Sequence, residues 1–290
     1  TPNSSFTGSD SFQYRISDGN GGTSTATASI SVIAPTIFAV SSGDFATGST
    51  WSTGIVPGST DAIDISAGVV VDKTTGADTV SNLSLSTSGA RLNLSNSTLI
   101  STSNVTVGSG AILDLNAANL TAGHVLNLGQ LNSKSSSTIT ATVNVENQGI
   151  LDIESGISTI NSTAFTNSGV LTIRGTSGGN AQLTVDGFTN AGTITLDNAS
   201  SVARNETLTV SSGTLFNSGV INTTSTGGGG GTITLNPDIL SNTGTINVNE
   251  SMNLTFATSA TNEAGVNINI ADTKTMDIDG GTFNNNGTYT

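Results

Sequence analysis

The stretch "NSGVLTIRG" (167–175) is written again, with small changes, as "NAGTITLDN" (190–198), "NSGVINTTS" (217–225) and "NTGTINVNE" (242–250). Working outward from it, a glycine recurs at Gly68, Gly89, Gly110, Gly129, Gly149, Gly169, Gly192, Gly219, Gly244, Gly265 and Gly287, at steps of 19 to 27 residues. From Gly129 onward an asparagine generally precedes the glycine by two: Asn127, Asn147, Asn167, Asn190, Asn217, Asn242 and Asn285. Asn262 fits if Ala264 takes the place of the glycine. Two residues before the asparagines stand Val125, Val145, Phe165, Phe188, Leu215, Leu240 and Phe283. Apolar pairs follow the glycines, as in Leu151/Ile153, Leu171/Ile173, Ile194/Leu196 and Ile246/Val248, and in the earlier turns Leu92/Leu94 and Leu113/Leu115.

Alternation at a spacing of two means strands. A period near twenty residues accommodates three short strands and three corners, one coil of a parallel β-helix. The expected fold is therefore all-β: a right-handed parallel β-helix of about ten coils over 67–290. Like residues then stack in columns, Phe165 beside Phe188 and Leu151 beside Leu171. Asparagines in one column can chain their amides from coil to coil. The glycine beside each is expected to supply a backbone conformation that residues with a Cβ resist.

Composition agrees with many short strands and turns. Of 290 residues, 34% are apolar and only 9% charged, unlike charge-rich disorder. The net charge of −13 arises from having only seven Lys and Arg, and such a surface repels nucleic acid and anionic lipid. The absence of Cys excludes disulfides and thiolate metal sites. No run of eighteen apolar residues is present, so no membrane insertion is expected.

Residues 1–35 read differently. Phe12, Tyr14 and Ile16 alternate along one strand, the turn "DGNGG" follows, and Ala26, Ala28, Ile30 and Val32 alternate along a second. A lone hairpin is marginal in water, so its apolar face calls for partner strands. The runs F-x-G-x-D-x-F-x-Y and "SDGNGGTSTAT" resemble the closing hairpin of a bacterial cadherin-like repeat, a β-sandwich found in tandem along giant secreted surface proteins. That resemblance implies a following Asn-Asp-Ala-Pro linker able to hold calcium; this chain has Ile33-Ala34-Pro35-Thr36, without a carboxylate. Residues 36–66, with "SSGDFATGSTWSTGIVPGSTDAIDI" at 41–65, resemble the entry of many bacterial β-helix proteins and are expected to be a linker and N-terminal cap. Trp51 is expected to cover the open apolar end of the stack rather than to stack on a sugar. Residues 67–290 are similar at the level of fold to filamentous, haemagglutinin-like adhesins. The chain is expected to be a piece of something longer.

Chemistry is sparse. His124 in "LTAGHVLNL" reads as a corner or face residue. Arg15, Lys73, Arg91, Lys134, Arg174, Arg204 and Lys274 are dispersed, and Asp186, Asp197, Asp277 and Asp279 read as outward positions. No catalytic residue, cofactor or metal is expected. "TGGGGGT" (226–232) lacks the lysine and helix of a phosphate loop and reads as a flexible excursion. The Thr-rich strands 138–140, 193–195 and 232–234 invite an ice-binding reading, which irregular coil lengths oppose. Asn-x-Ser/Thr sites, among them Asn161, Asn198 and Asn205, follow from composition.

A binding site, if present, is expected at one corner. Residues 174–182, 197–207 and 224–232 lengthen three consecutive coils between their first and second strands, with Ile233 taken as level with Leu183, Leu208 and Leu254. Stacking would join them into one ridge carrying Arg174, Asn180, Arg204, Asn205 and Gly229. The expected function is a non-enzymatic rod in a large bacterial surface or secreted adhesin, extracellular or on the cell surface. Its expected partners are a host or neighbouring-cell surface, glycan or matrix, or other copies of itself. The rivals are a filament subunit and a polysaccharide-degrading enzyme. Two or more carboxylates beside a Lys or Arg on one face would favour the enzyme.

Overall fold

The computed structural model describes residues 8–32 and 36–290; the Ile33-Ala34-Pro35 joint lies outside the described residues. Gly8–Ser17 and Thr23–Val32 form an antiparallel hairpin in which Phe12 faces Ala28 and Tyr14 faces Ala26. Its turn is a local one. Asp18 Oδ1 accepts the amides of Asn20 and Gly22 at 2.8 and 2.9 Å, and Gly19 and Gly21 take φ of 76° and 94°. Phe12, Tyr14, Ile16 and Ile30 are exposed.

From Thr36 the chain winds into a parallel β-solenoid of about 11 turns. One sheet of 12 strands contains the segments that follow the corner glycines, such as Ile150–Glu154, Val170–Gly175 and Thr193–Asn198. The other, of 16 strands, supplies the two remaining sides of each coil and bends midway. The bend shows as register shifts between Ala122 and His124 and between Val210 and Thr214. Both sheets begin inside the stretch expected to be linker and cap: Thr36–Ala39 pairs with Ala62–Ile65, and Gly43–Asp44 with Val70–Lys73. That start accounts for a count of about 11 turns where about ten were expected.

The core is a set of continuous columns. Leu92, Leu113, Leu131, Leu151, Leu171 and Ile194 follow one another in register, each 0–1% exposed. Burial of each such side chain contributes about 1.5–3 kcal/mol. The Phe165 and Phe188 rings stack with centroids 4.8 Å apart. At the N-terminal end Trp51 is buried, donates its indole N–H to the Phe45 carbonyl at 2.8 Å, and meets the Phe45 ring edge-on at 5.1 Å. A burial of this kind removes Trp51 from any sugar-stacking role. Lys73 projects inward there, its ammonium paired with Asp78 and 5.6 Å from the Phe45 ring centre.

The asparagine column is an unbroken chain of side-chain amides. Each Nδ2 donates to the Oδ1 of the next coil along Asn127, Asn147, Asn167, Asn190, Asn217, Asn242, Asn262 and Asn285, at 2.6 to 2.8 Å. The backbone carbonyl of Asn147 accepts the amides of Ser168 and Gly169, and that of Asn167 accepts Ala191 and Gly192. The glycines are needed for a different reason from the one expected. Gly129, Gly149, Gly169, Gly192, Gly219 and Gly244 do not have positive φ. A Cβ at Gly169, Gly192, Gly219 or Gly244 would instead overlap the carbonyl oxygen of the corresponding glycine one coil earlier. Close approach of the backbones selects glycine there; positive φ does so at Gly68, Gly89, Gly110 and Gly265.

Candidate functional site

The three long loops do stack, as expected. Ala199 N donates to Gly175 O, Gly227 N to Asn198 O and Gly229 N to Ser200 O, at 2.9 to 3.0 Å. The register differs in one coil, since Leu235 rather than Ile233 is level with Leu208 and Leu254. Ile233 aligns instead with Glu206 and Met252, because the polyglycine run rejoins the strand earlier than its apolar residues suggest. That run is also not a loose excursion. Arg204 N donates to Gly230 O, Thr232 N donates to Asn205 Oδ1, and a Cβ at Gly229 would overlap the Val202 carbonyl.

Four of the five ridge residues, Asn180, Arg204, Asn205 and Gly229, lie in the stacked loops, and their polar groups are engaged within those loops. Arg204 donates Nε to Thr176 O at 3.0 Å and a guanidinium N–H to Ser177 O at 3.2 Å. Asn180 Oδ1 accepts Asn205 N at 3.0 Å. Arg174 lies on the neighbouring strand face, where it pairs with Asp152 and, at 2.6 Å, with Glu154. Asn198 is buried and holds the loop, so its Asn-x-Ser sequence is closed to modification in the folded chain.

Stacking also assembles charges that are scattered in the sequence. Lys134, Glu154, Arg174 and Asp197 occupy one column, in which Lys134 meets Glu154 at 3.0 Å, while Asp197, expected to be outward, is buried beneath the next loop and accepts from Thr224 and Thr226. In the adjacent column Asn132 donates to Asp114 at 2.7 Å. Burial raises the Asp152 pKa to about 6 against the pull of Arg174, whereas Lys134 and Arg174 hold Glu154 below its usual value despite burial. The signal for this cluster was present in the sequence as charges one coil period apart. His124 lies 3.4 Å from Glu146, which also accepts Asn144 Nδ2.

Glu206 is the residue that sequence reading missed. It points into the core beneath the loops, fully buried, and neither carboxyl oxygen has a hydrogen-bond partner among the described residues. Burial, with Asp197 nearby, pushes its pKa up to about 8. Among the described residues there is no group of three or more His, Cys, Asp or Glu able to hold a metal ion. No helix of the described residues is long and apolar enough to cross a membrane.

What these features define is a parallel β-solenoid with an internally bonded loop ridge. Residues 1–31 match the family model described as a bacterial Ig domain, which agrees with the hairpin at Gly8–Val32. Comparison with curated proteins and with solved structures finds no match.

Proposed function

We propose that this chain is a non-enzymatic structural and adhesive segment of a large bacterial cell-surface or secreted protein, a stiff rod that extends or presents a binding surface. The observation that carries the reading is the asparagine ladder, seven successive amide bonds running the length of eight coils. A polar group buried at every coil, bonded to the same group of the next coil and to corner carbonyls, makes register obligatory and bending unfavourable. The Ig-domain match at 1–31 supports placement in a tandem-domain surface protein. Partners are a cell surface, glycan or matrix, or further copies of the chain, with no cofactor.

The enzyme reading has one observation in its favour, the Asp152–Glu154–Arg174–Lys134 cluster on one face. Its charges bind one another and Asp152 is only 5% exposed, so this cluster offers no free pair of carboxylates to flank a glycosidic bond. Incubation with neutral and acidic polysaccharides, with and without calcium, separates the two. The adhesive reading expects no new reducing ends or unsaturated sugars. Turnover abolished by Asp152→Asn would establish the enzyme.

A further inference from the structure

The bend of the larger sheet contains a recess whose origin can be traced to loop length. Val185 and Phe188 are separated only by Asp186 and Gly187. In the following coil, the aligned Val210 and Leu215 are separated by Ser211, Ser212, Gly213 and Thr214. In the preceding coil Ile160, aligned with Val185, is separated from Phe165 by Asn161, Ser162, Thr163 and Ala164. A short bend between two longer ones leaves a notch of about 890 Å³.

The lining of this notch has three properties. Asp186 carries the only formal charge among its lining residues. Its Oδ1 is fixed by the hydroxyls of Ser211 and Ser212, both at 2.9 Å, while Oδ2 has no partner among the described residues. Phe216 stands at its edge with 54% of its surface exposed, in an outward column where its neighbours are Thr189 and Ser241. Thr163, Thr189 and Thr214 complete the wall, with the Thr163 hydroxyl donating to the Val143 carbonyl.

We propose that this recess binds a neutral hexose unit of a glycan, with the Phe216 ring against the C–H face of the sugar and Asp186 accepting from its hydroxyls. An oriented carboxylate and a few hydroxyls beside one exposed ring match what a small polar ligand with an apolar face requires. Anionic glycans are disfavoured, because Asp186 and the net charge of −13 repel them. The site lies on the bend of the coil, away from the corner ridge, and it rests on the adhesive reading.

The test is calorimetric titration of the whole chain with linear oligomers of glucose, galactose, mannose and N-acetylglucosamine, and with sialylated and sulfated counterparts. At least one neutral oligomer should saturate with a Kd below about 10 mM, and Phe216→Ala and Asp186→Asn should each weaken it about tenfold. Phe38→Ala, also exposed but on the first strand of the stack, should leave binding unchanged. Thermal melting of each variant checks the fold. Absence of saturable binding, preference for the anionic glycans, or binding indifferent to both substitutions would overturn the site. Each of those results leaves the adhesive rod standing if the chain still attaches to cells; turnover of an oligomer during titration would instead remove the non-enzymatic reading.

Discussion

Glu206 stands in register between Ala181 and Ile233, so a carboxyl occupies a column that is otherwise apolar. Its pKa of about 8 in the folded chain compares with 4.5 when exposed, so folding favours the protonated form. Stability from this group is fully present below pH 4.5, declines as the unfolded chain ionises, and levels off above about 8, a loss on the order of 5 kcal/mol. Glu206→Gln removes that contribution, so between pH 7 and pH 9, above the range in which Asp152 titrates, denaturant melts of the variant should change less than those of the parent. An identical pH profile in parent and variant would show that Glu206 is not buried as an acid. Glycine gives a second residue-scale outcome. Gly169→Ala places a methyl against the carbonyl of Gly149 and should separate two coils, whereas Gly265→Ala meets nothing within 4 Å and pays only for its φ of 78°. The second should lower stability by about 1 kcal/mol and the first by clearly more, measured by chemical denaturation.

At the scale of the element, the corner is a repeated unit with two ends. Asn190→Ala breaks the ladder in its interior, leaving Asn167 Nδ2 without its amide acceptor and Asn217 Oδ1 without its donor. Asn167 Nδ2 keeps the Thr193 carbonyl at 3.2 Å, so the orphaned group is Asn217 Oδ1, and a buried group so orphaned carries about 1–3 kcal/mol. Asn127 already begins the ladder with an unpartnered Oδ1 beside the apolar Val107, so Asn127→Ala merely moves that defect to Asn147 and should destabilise less. Equal losses at the two positions would mean the ladder is not cooperative. The asparagine and core columns were legible because their spacing survives every insertion. Even Asn262 keeps its place, although its corner is widened by Gly265, because the column fixes the coil and the turn adapts. What was not legible was the cause of the glycines, since a sequence shows residue identity but not how near the previous coil lies.

Across the whole molecule, local periodicity carried the fold, and contacts between coils decided the site. Arg174 reads as a free cation on a ridge until the neighbouring coils bring Asp152 and Glu154 to it. Glu206 reads as an ordinary polar loop residue until register places it inside. The notch at Asp186 exists only because two neighbouring bends are longer, a comparison that requires correct alignment of three coils. Excising residues 226–231 therefore should not be silent. Their carbonyls and amides hold the 198–205 loop, so the deletion is expected to lower the melting temperature and increase proteolysis within 198–205. The central claim is that these coils form one stiff, register-locked rod, and the absence of cysteine makes a pair of spin labels a clean probe of it. Thr98 and Asn236 share one outward column through Asn119, Thr138, Thr159, Thr184 and Thr209. Six steps of about 4.8 Å place their backbones about 29 Å apart. Electron–electron resonance on Thr98→Cys/Asn236→Cys should give a single narrow distance distribution centred near that value, allowing for the label arms. A broad distribution, or one displaced by a coil or more, would contradict the rod.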